Sequence, residues 1–240
     1  VFSKINFNQE NYLSWLLALI PISFIAGNMI ININVILLII SSIFFFRKDL
    51  FNLRYNYKLL FLILIGSLPL IIFGYLLYST NLIHHLRNIK VVAWTTLVFG
   101  IILFFADQRK IKNNISTNLN IKSIIFIGIF QILALIPGVS RAGITMTAAR
   151  FLKFNRVDSG KISFLLAIPA LIGASFLGIK DVFDQSIQIN YLVISAVILS
   201  FLFSYITVKF FLSYISKFSL NIFVIYRVVV ALVIFMVIYL

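Results

Sequence analysis

The sequence contains no cysteine, only two histidines and only six acidic residues among 240. The first absence excludes disulfides, thiolate chemistry and Cys-ligated metals. His84 and His85 are adjacent in a loop, which argues against a histidine-rich metal site. The acids are Glu10, Asp49, Asp107, Asp158, Asp181 and Asp184. Their scarcity matters because metal-assisted phosphate chemistry usually holds its ion with carboxylates. Charge of either sign is rare, at 11% of residues against 62% hydrophobic, with mean hydropathy +1.11. A soluble domain of this size would have a largely apolar exterior. The expected fold class is therefore all-α, a polytopic membrane helical bundle forming one integral membrane domain over residues 1–240. The net charge of +14 resides in lysines and arginines of short loops between apolar runs. That pattern flanks a membrane and does not call for nucleic acid.

Residues Val1–Asn11 are polar and lack the basic start and cleavage site of a secretory signal, and a first residue other than Met fits a truncated chain. Tyr12–Phe46 runs 35 residues without a charge, too long for one straight span. Pro21, Gly27 and the Asn28, Asn32, Asn34 cluster predict a broken helix there. Further spans are predicted over Leu59–Tyr78 (kinked at Pro69), Val91–Ala106, Ser159–Ile179, Tyr191–Ser213 and Asn221–Leu240. Ser123–Ile136 and Ile144–Phe154 are too short to cross, and read as re-entrant half-helices either side of a break. The basic loops Arg47–Lys58 and Asp107–Lys122 share one side, assigned to the cytoplasm, which leaves Ser79–Lys90 outside.

The break itself is the most informative stretch: Gln131-Ile-Leu-Ala-Leu-Ile-Pro-Gly-Val-Ser-Arg-Ala-Gly-Ile-Thr145. It places Arg141 at membrane depth, where a cation costs several kcal/mol on an isolated helix and is normally kept for a partner or ligand. Pro137, Gly138 and Gly143 interrupt the helix and let backbone N–H groups face an anion. With the hydroxyls of Ser140, Thr145 and Thr147, the ingredients are those of a phosphate site. The competing reading is a kinked helix whose arginine snorkels. Arg227 is a second intramembrane cation, but at seven residues into its segment it is expected to snorkel towards the interface. Weak echoes of Leu133–Gly143 at Leu17–Gly27 and Leu166–Gly173 fit either a repeat around a midplane site or apolar low complexity.

Leu133–Gly143 resembles the central motif of the undecaprenyl-diphosphatase (bacitracin-resistance) family of integral membrane phosphatases, Leu-Ala-Leu-x-Pro-Gly-x-Ser-Arg-Ser-Gly, with Ala142 for the second serine. Ile65-Gly-Ser-Leu-Pro69, Phe99-Gly-Ile-Ile-Leu with Ala106-Asp107, Asp158–Pro169 and Ile225-Tyr-Arg227 are similar to further family blocks in order, so the resemblance covers residues 35–240. It implies removal of the terminal phosphate of a polyprenyl diphosphate, to recycle a cell-wall lipid carrier, with a divalent cation (Mg²⁺ or Ca²⁺). It also implies a multi-pass protein of the bacterial inner (plasma) membrane whose site faces the periplasm. By resemblance Arg141 and Ser140 are the catalytic residues, and Gly138, Gly143, Thr145 and Gln131 shape or line the substrate pocket. The family's N-terminal Glu-x-x-x-Glu and Pro-x-Ser-Ser-x-Gly-His are not matched: Glu10 has no partner at that spacing, and Asn28 follows Pro21-Ile-Ser-Phe-Ile-Ala-Gly where His is expected, one residue late. Residues 1–34 therefore read as truncated or degenerate. Asp158, seventeen residues past Arg141 at a helix start, suits capping better than metal ligation, which leaves the metal ligands unknown.

Three readings follow: a polyprenyl-diphosphate phosphatase, a catalytically silent relative that binds or translocates lipid phosphates, and an unrelated transporter with a re-entrant anion loop. Ser140 as nucleophile and direct attack by water both remain open, with hydrogen-bond donation the better use of a serine lacking a visible base. Oligomeric state is not legible, a homodimer included.

Overall fold

A computed structural model describes residues 53–80, 88–184 and 191–239. Within them the chain is helical, with one isolated bridge between Asn113 and Phe154 as its only extended pairing. In order come α1 (Leu53–Ser79), α2 (Ile89–Asp107), α3 (Ile115–Asn118), α4 (Ile121–Ile132), a 3-10 turn (Leu133–Leu135), α5 (Arg141–Phe151), α6 (Arg156–Asp184), α7 (Tyr191–Lys217) and α8 (Asn221–Tyr239). The broken helix expected over Tyr12–Phe46 and the loop at Arg47–Lys58 lie outside the described residues or at their edge.

Three described segments are long and apolar enough to cross a membrane: Tyr57–Ser79, Ile89–Asp107 and Asn221–Tyr239. By contrast, α4 and α5 have 12 and 11 residues. At 1.5 Å per residue each is about 17 Å long, roughly half of a hydrocarbon core. They form the half-helix pair that the apolar spacing predicted, packed on each other and separately on long helices, α4 on α1 and α5 on α2 and α6.

Close approach of α4 to α1 depends on glycine. A Cβ at Gly128 would fall 2.3 Å from the Gly66 carbonyl oxygen, so no other residue fits there without parting the helices. Two buried clusters then fill the interior. Leu62, Ile124, Ile127, Ala148, Ala149, Ile162 and Leu166 join α1, α4, α5 and α6. Ile63, Leu103, Met146, Leu165, Leu212 and Val224 join α1, α2, α5, α6, α7 and α8. The apolar side chains left outside, such as Phe61 and Leu64 on α1, Trp94 and Phe105 on α2, and Ile225 and Val233 on α8, form the face a lipid phase would cover.

The segment 107–122, read from sequence as a polar loop, is more structured. Asn114–Leu119 makes a helical turn, and the Asn120 side chain caps α4 by accepting the Ser123 N–H at 2.9 Å. Asp107, placed by sequence at the start of that loop, is buried, because it holds arginines of two other helices. Asp158 serves at the start of α6, as expected. Its backbone N–H donates to Asn155 Oδ1 at 2.7 Å, and its carboxylate accepts from Asn155 Nδ2 at 2.9 Å and from the Ile115 N–H at 3.0 Å.

Candidate functional site

The two half-helices meet at a turn built from Ile136-Pro137-Gly138-Val139. The Val139 N–H donates to the Ile136 carbonyl at 3.1 Å, and Gly138 has φ +88, as in a type II turn with Pro second and Gly third. The turn is clamped to α2. Thr95 Oγ1 lies 2.7 Å from the Pro137 carbonyl, and Thr96 Oγ1 reaches the Gly138 carbonyl at 3.3 Å. A Cβ on Gly138 would lie 2.2 Å from Thr95 Oγ1 and 2.7 Å from the Val92 carbonyl oxygen. Gly138 is thus required twice, by its conformation and by contact with α2.

Beyond the turn Ser140 is the N-cap of α5, its Oγ accepting the Gly143 N–H at 3.2 Å. The N–H groups of Arg141 and Ala142 have no partner among the described residues, so the positive end of the α5 dipole is open. Arg141, half-buried at this end, likewise has no hydrogen-bonded or ion-paired partner among the described residues.

Arg227 is where the sequence expectation fails. It does not snorkel: it is 9% exposed, and its guanidinium packs on the first turn of α5. A Cβ on Gly143 would sit 3.2 Å from Arg227 Nη2 and 3.4 Å from Cζ. Gly100 on α2 receives the stem, since a Cβ there would be 3.2 Å from Arg227 Cβ. Two glycines on two helices therefore make the slot that turns this side chain inward, and nothing in the spacing of α8 itself could have shown it. No carboxylate among the described residues pairs with Arg227 either. Arg141 and the Arg227 guanidinium thus both stand at the open start of α5, with no ion-paired carboxylate among the described residues. Cations and free N–H groups at a helix start are the elements of an anion site.

The remaining candidates fall at different depths. Thr145 is buried against α6, its hydroxyl 2.7 Å from Ser163 Oγ and 2.9 Å from the Arg141 carbonyl. It locks α5 to α6 directly below the arginine. Thr147 back-bonds to the Gly143 carbonyl at 2.7 Å and is buried as well. Gln131, at 0% exposure in the last turn of α4, has neither amide atom hydrogen-bonded among the described residues. Sequence reasoning did not find Ser163, Thr95 or Thr96, whose roles exist only through contacts across helices.

Among the described residues no group of three or more His, Asp or Glu could hold a metal ion. Asp107 and Asp158 are committed at the other end of the bundle, and Glu10 and Asp49 lie outside the described residues. The described residues thus fit an anion and supply no ligand set for a divalent cation.

Taken together, these features define an α-helical membrane protein in which two half-helices meet at a Pro-Gly turn beside Arg141 and Arg227. The chain belongs to the family described as bacitracin resistance protein BacA, whose model matches residues 3–233. Relatives named undecaprenyl-diphosphatase are similar over most of their length. That of Pelagibacter ubique (strain HTCC1062) is 59% identical over 202 residues, covering 84% of this chain and 79% of the relative. That of Elusimicrobium minutum (strain Pei191) is 37% identical over 205 residues, covering 82% and 78%. The protein from Jannaschia sp. (strain CCS1) is 36% identical over 183 residues, covering 76% and 68%.

Proposed function

We propose that this chain hydrolyses the terminal phosphate of undecaprenyl diphosphate, the reaction its relatives' name, undecaprenyl-diphosphatase, denotes, and thereby recycles the lipid carrier of cell-wall synthesis. The observation that carries the reading is the pair of arginines, Arg141 and Arg227, at the start of α5 with no carboxylate partner among the described residues. A diphosphate brings the two or more negative charges that such a pair accommodates, and the exposed apolar faces of the helices suit its polyprenyl tail.

In the reaction, the oxygen of an attacking water bonds to the terminal phosphorus, and the bond from that phosphorus to the bridging oxygen breaks. Polyprenyl monophosphate leaves with the electron pair, and inorganic phosphate is released. Negative charge develops on the bridging and equatorial oxygens, where Arg141, Arg227 and the free N–H groups of Arg141 and Ala142 stabilise it. Ser140 is a donor in this scheme. Its oxygen already accepts the Gly143 N–H, no described base is bonded to it, and its proton is free for a phosphate oxygen. The divalent cation implied by the resemblance would, when bound, neutralise further phosphate charge, and the described residues supply no ligand set for it.

The site faces the periplasm in this reading. It packs on the α2 end that follows Ser79–Lys90, whereas the basic segment after Asp107 marks the opposite, cytoplasmic end of the bundle. Both arginines come from one chain, so the pocket does not require a homodimer.

The test is phosphate release from undecaprenyl diphosphate by the full chain in detergent, with Mg²⁺ or Ca²⁺, with EDTA, and as Arg141→Ala. Release abolished by Arg141→Ala supports the phosphatase. Arg141-dependent binding of the lipid without release in any condition refutes hydrolysis and leaves a binding or translocating relative.

A further inference from the structure

At the far end of the bundle one carboxylate joins four helices. Asp107 is the last residue of α2 and its side chain is 3% exposed. Arg156, the first residue of α6, donates to it from Nε at 2.8 Å (Oδ1) and from Nη2 at 2.9 Å (Oδ2). The backbone N–H of Leu220, immediately before α8, donates to Oδ2 at 3.1 Å. Arg150, in the last turn of α5, lies 3.3 Å from Oδ1 through Nε, close enough for an ion pair but not aligned as a hydrogen bond. Its Nη2 instead holds the carbonyls of Asp107 and Arg109 at 2.7 Å each, and its Nη1 holds that of Phe154.

The helices gathered here are those that furnish the phosphate pocket. From this knot, Ser163 lies seven residues along α6 from Arg156, Arg227 seven residues along α8 from Leu220, and Arg141 nine residues back along α5 from Arg150. At 1.5 Å per residue these are rises of about 10, 10 and 14 Å. Helices are stiff over two or three turns, so fixing their ends on one carboxylate fixes the relative heights of Arg141, Ser163 and Arg227.

We propose that Asp107 is a positioning residue for the phosphate site: with Arg150 and Arg156 it sets the register of α2, α5, α6 and α8, and thereby the spacing of Arg141 and Arg227. This rests on the reading of those arginines as the anion clamp. Displacements near 1 Å at reacting groups cost on the order of 100-fold in rate, so loosening the knot is read in turnover more than in lipid binding.

The experiment uses the full chain in detergent as Asp107→Asn and as Arg156→Lys; the Arg156 side chain is 34% exposed and the milder site to disturb. Turnover on undecaprenyl diphosphate is measured per folded molecule. In parallel, spin labels at Ile172→Cys on α6 and Ile225→Cys on α8, both exposed in the parent, report the α6–α8 separation, free of background because the chain has no cysteine. Asp107→Asn is expected to lower kcat about tenfold or more with KM changed less than about threefold, and to broaden the distance distribution. Arg156→Lys is expected to do the same to a smaller extent. Parental kcat per folded molecule in both variants would overturn the proposal. Failure of both to fold would also overturn it, making the knot a matter of stability alone. If the parent releases no phosphate, the hydrolase reading is what has failed. The distance distribution then decides: broadening supports the knot's role, and no change overturns it.

Discussion

Replacing Arg227 with Met separates the two effects of a buried cation that has no ion-paired partner among the described residues. The stem is conserved in the variant, so the contact of Cβ with Gly100 on α2 survives, while the guanidinium beside Gly143 is lost. If that guanidinium waits for phosphate, its removal costs a charge-assisted hydrogen bond in the transition state, worth roughly 1.5–3 kcal/mol. That corresponds to a fall in kcat/KM of roughly 10- to 150-fold. Stability should move the opposite way. An arginine within a membrane segment costs roughly 2.5–3.5 kcal/mol where nothing neutralises it, so the ligand-free Met variant should unfold at a temperature several degrees higher. Arg227→Lys keeps the charge but loses the planar fork, and should lie between parent and Met in activity. Phosphate release and thermal unfolding in one detergent provide both readouts. A Met variant that is less stable and fully active would refute the assignment, since it would show a structural arginine with a partner in the resting protein.

Three further perturbations follow from the same geometry. Gly138→Ala meets both a φ of +88 and a Cβ position 2.2 Å from Thr95 Oγ1; it should destabilise by about 2 kcal/mol or more and reduce turnover, measured by unfolding temperature and phosphate release. Thr145→Val and Ser163→Ala remove the two ends of a 2.7 Å buried hydroxyl pair; a double-mutant cycle in unfolding free energy should show coupling of about 1 kcal/mol, and additive effects would contradict the contact. Gln131→Met replaces a buried amide that has no described partner; the ligand-free protein should gain roughly 1 kcal/mol, and weaker lipid-diphosphate binding in an equilibrium assay would show that substrate engages the amide.

Sequence periodicity located each described span to within a few residues, because a membrane helix is an uninterrupted apolar run. Its errors were at the ends. α1 begins at Leu53, not at Leu59, and takes the sequence positions of Arg54 and Lys58 into its first turns. The half-helix pair was legible from length alone, and the turn from Pro137-Gly138. Arg227 was misread because the only local signal was its distance from a segment end. The deciding residues, Gly100 and Gly143, are 127 and 84 positions away in the chain. Asp107 was equally invisible, since its partners Arg156 and Leu220 stand 49 and 113 residues off.

The placement of so few acids explains how one residue type serves two purposes here. At the far end of the bundle, Arg150 and Arg156 share Asp107, and burial of that group is tolerable because its charge is matched and its lone pairs are filled. Some two turns away, Arg141 opens α5 and Arg227 is held against Gly100 and Gly143, and neither has an acid partner among the described residues. A carboxylate placed there would remove the cost of burying them and would also compete with phosphate for the same donors. Among the described residues, then, the two arginines carry no competing acid. Introducing one beside the clamp, as Ala142→Asp, should raise resting stability while abolishing lipid-diphosphate binding, and retention of binding would show that Arg141 does not face the ligand.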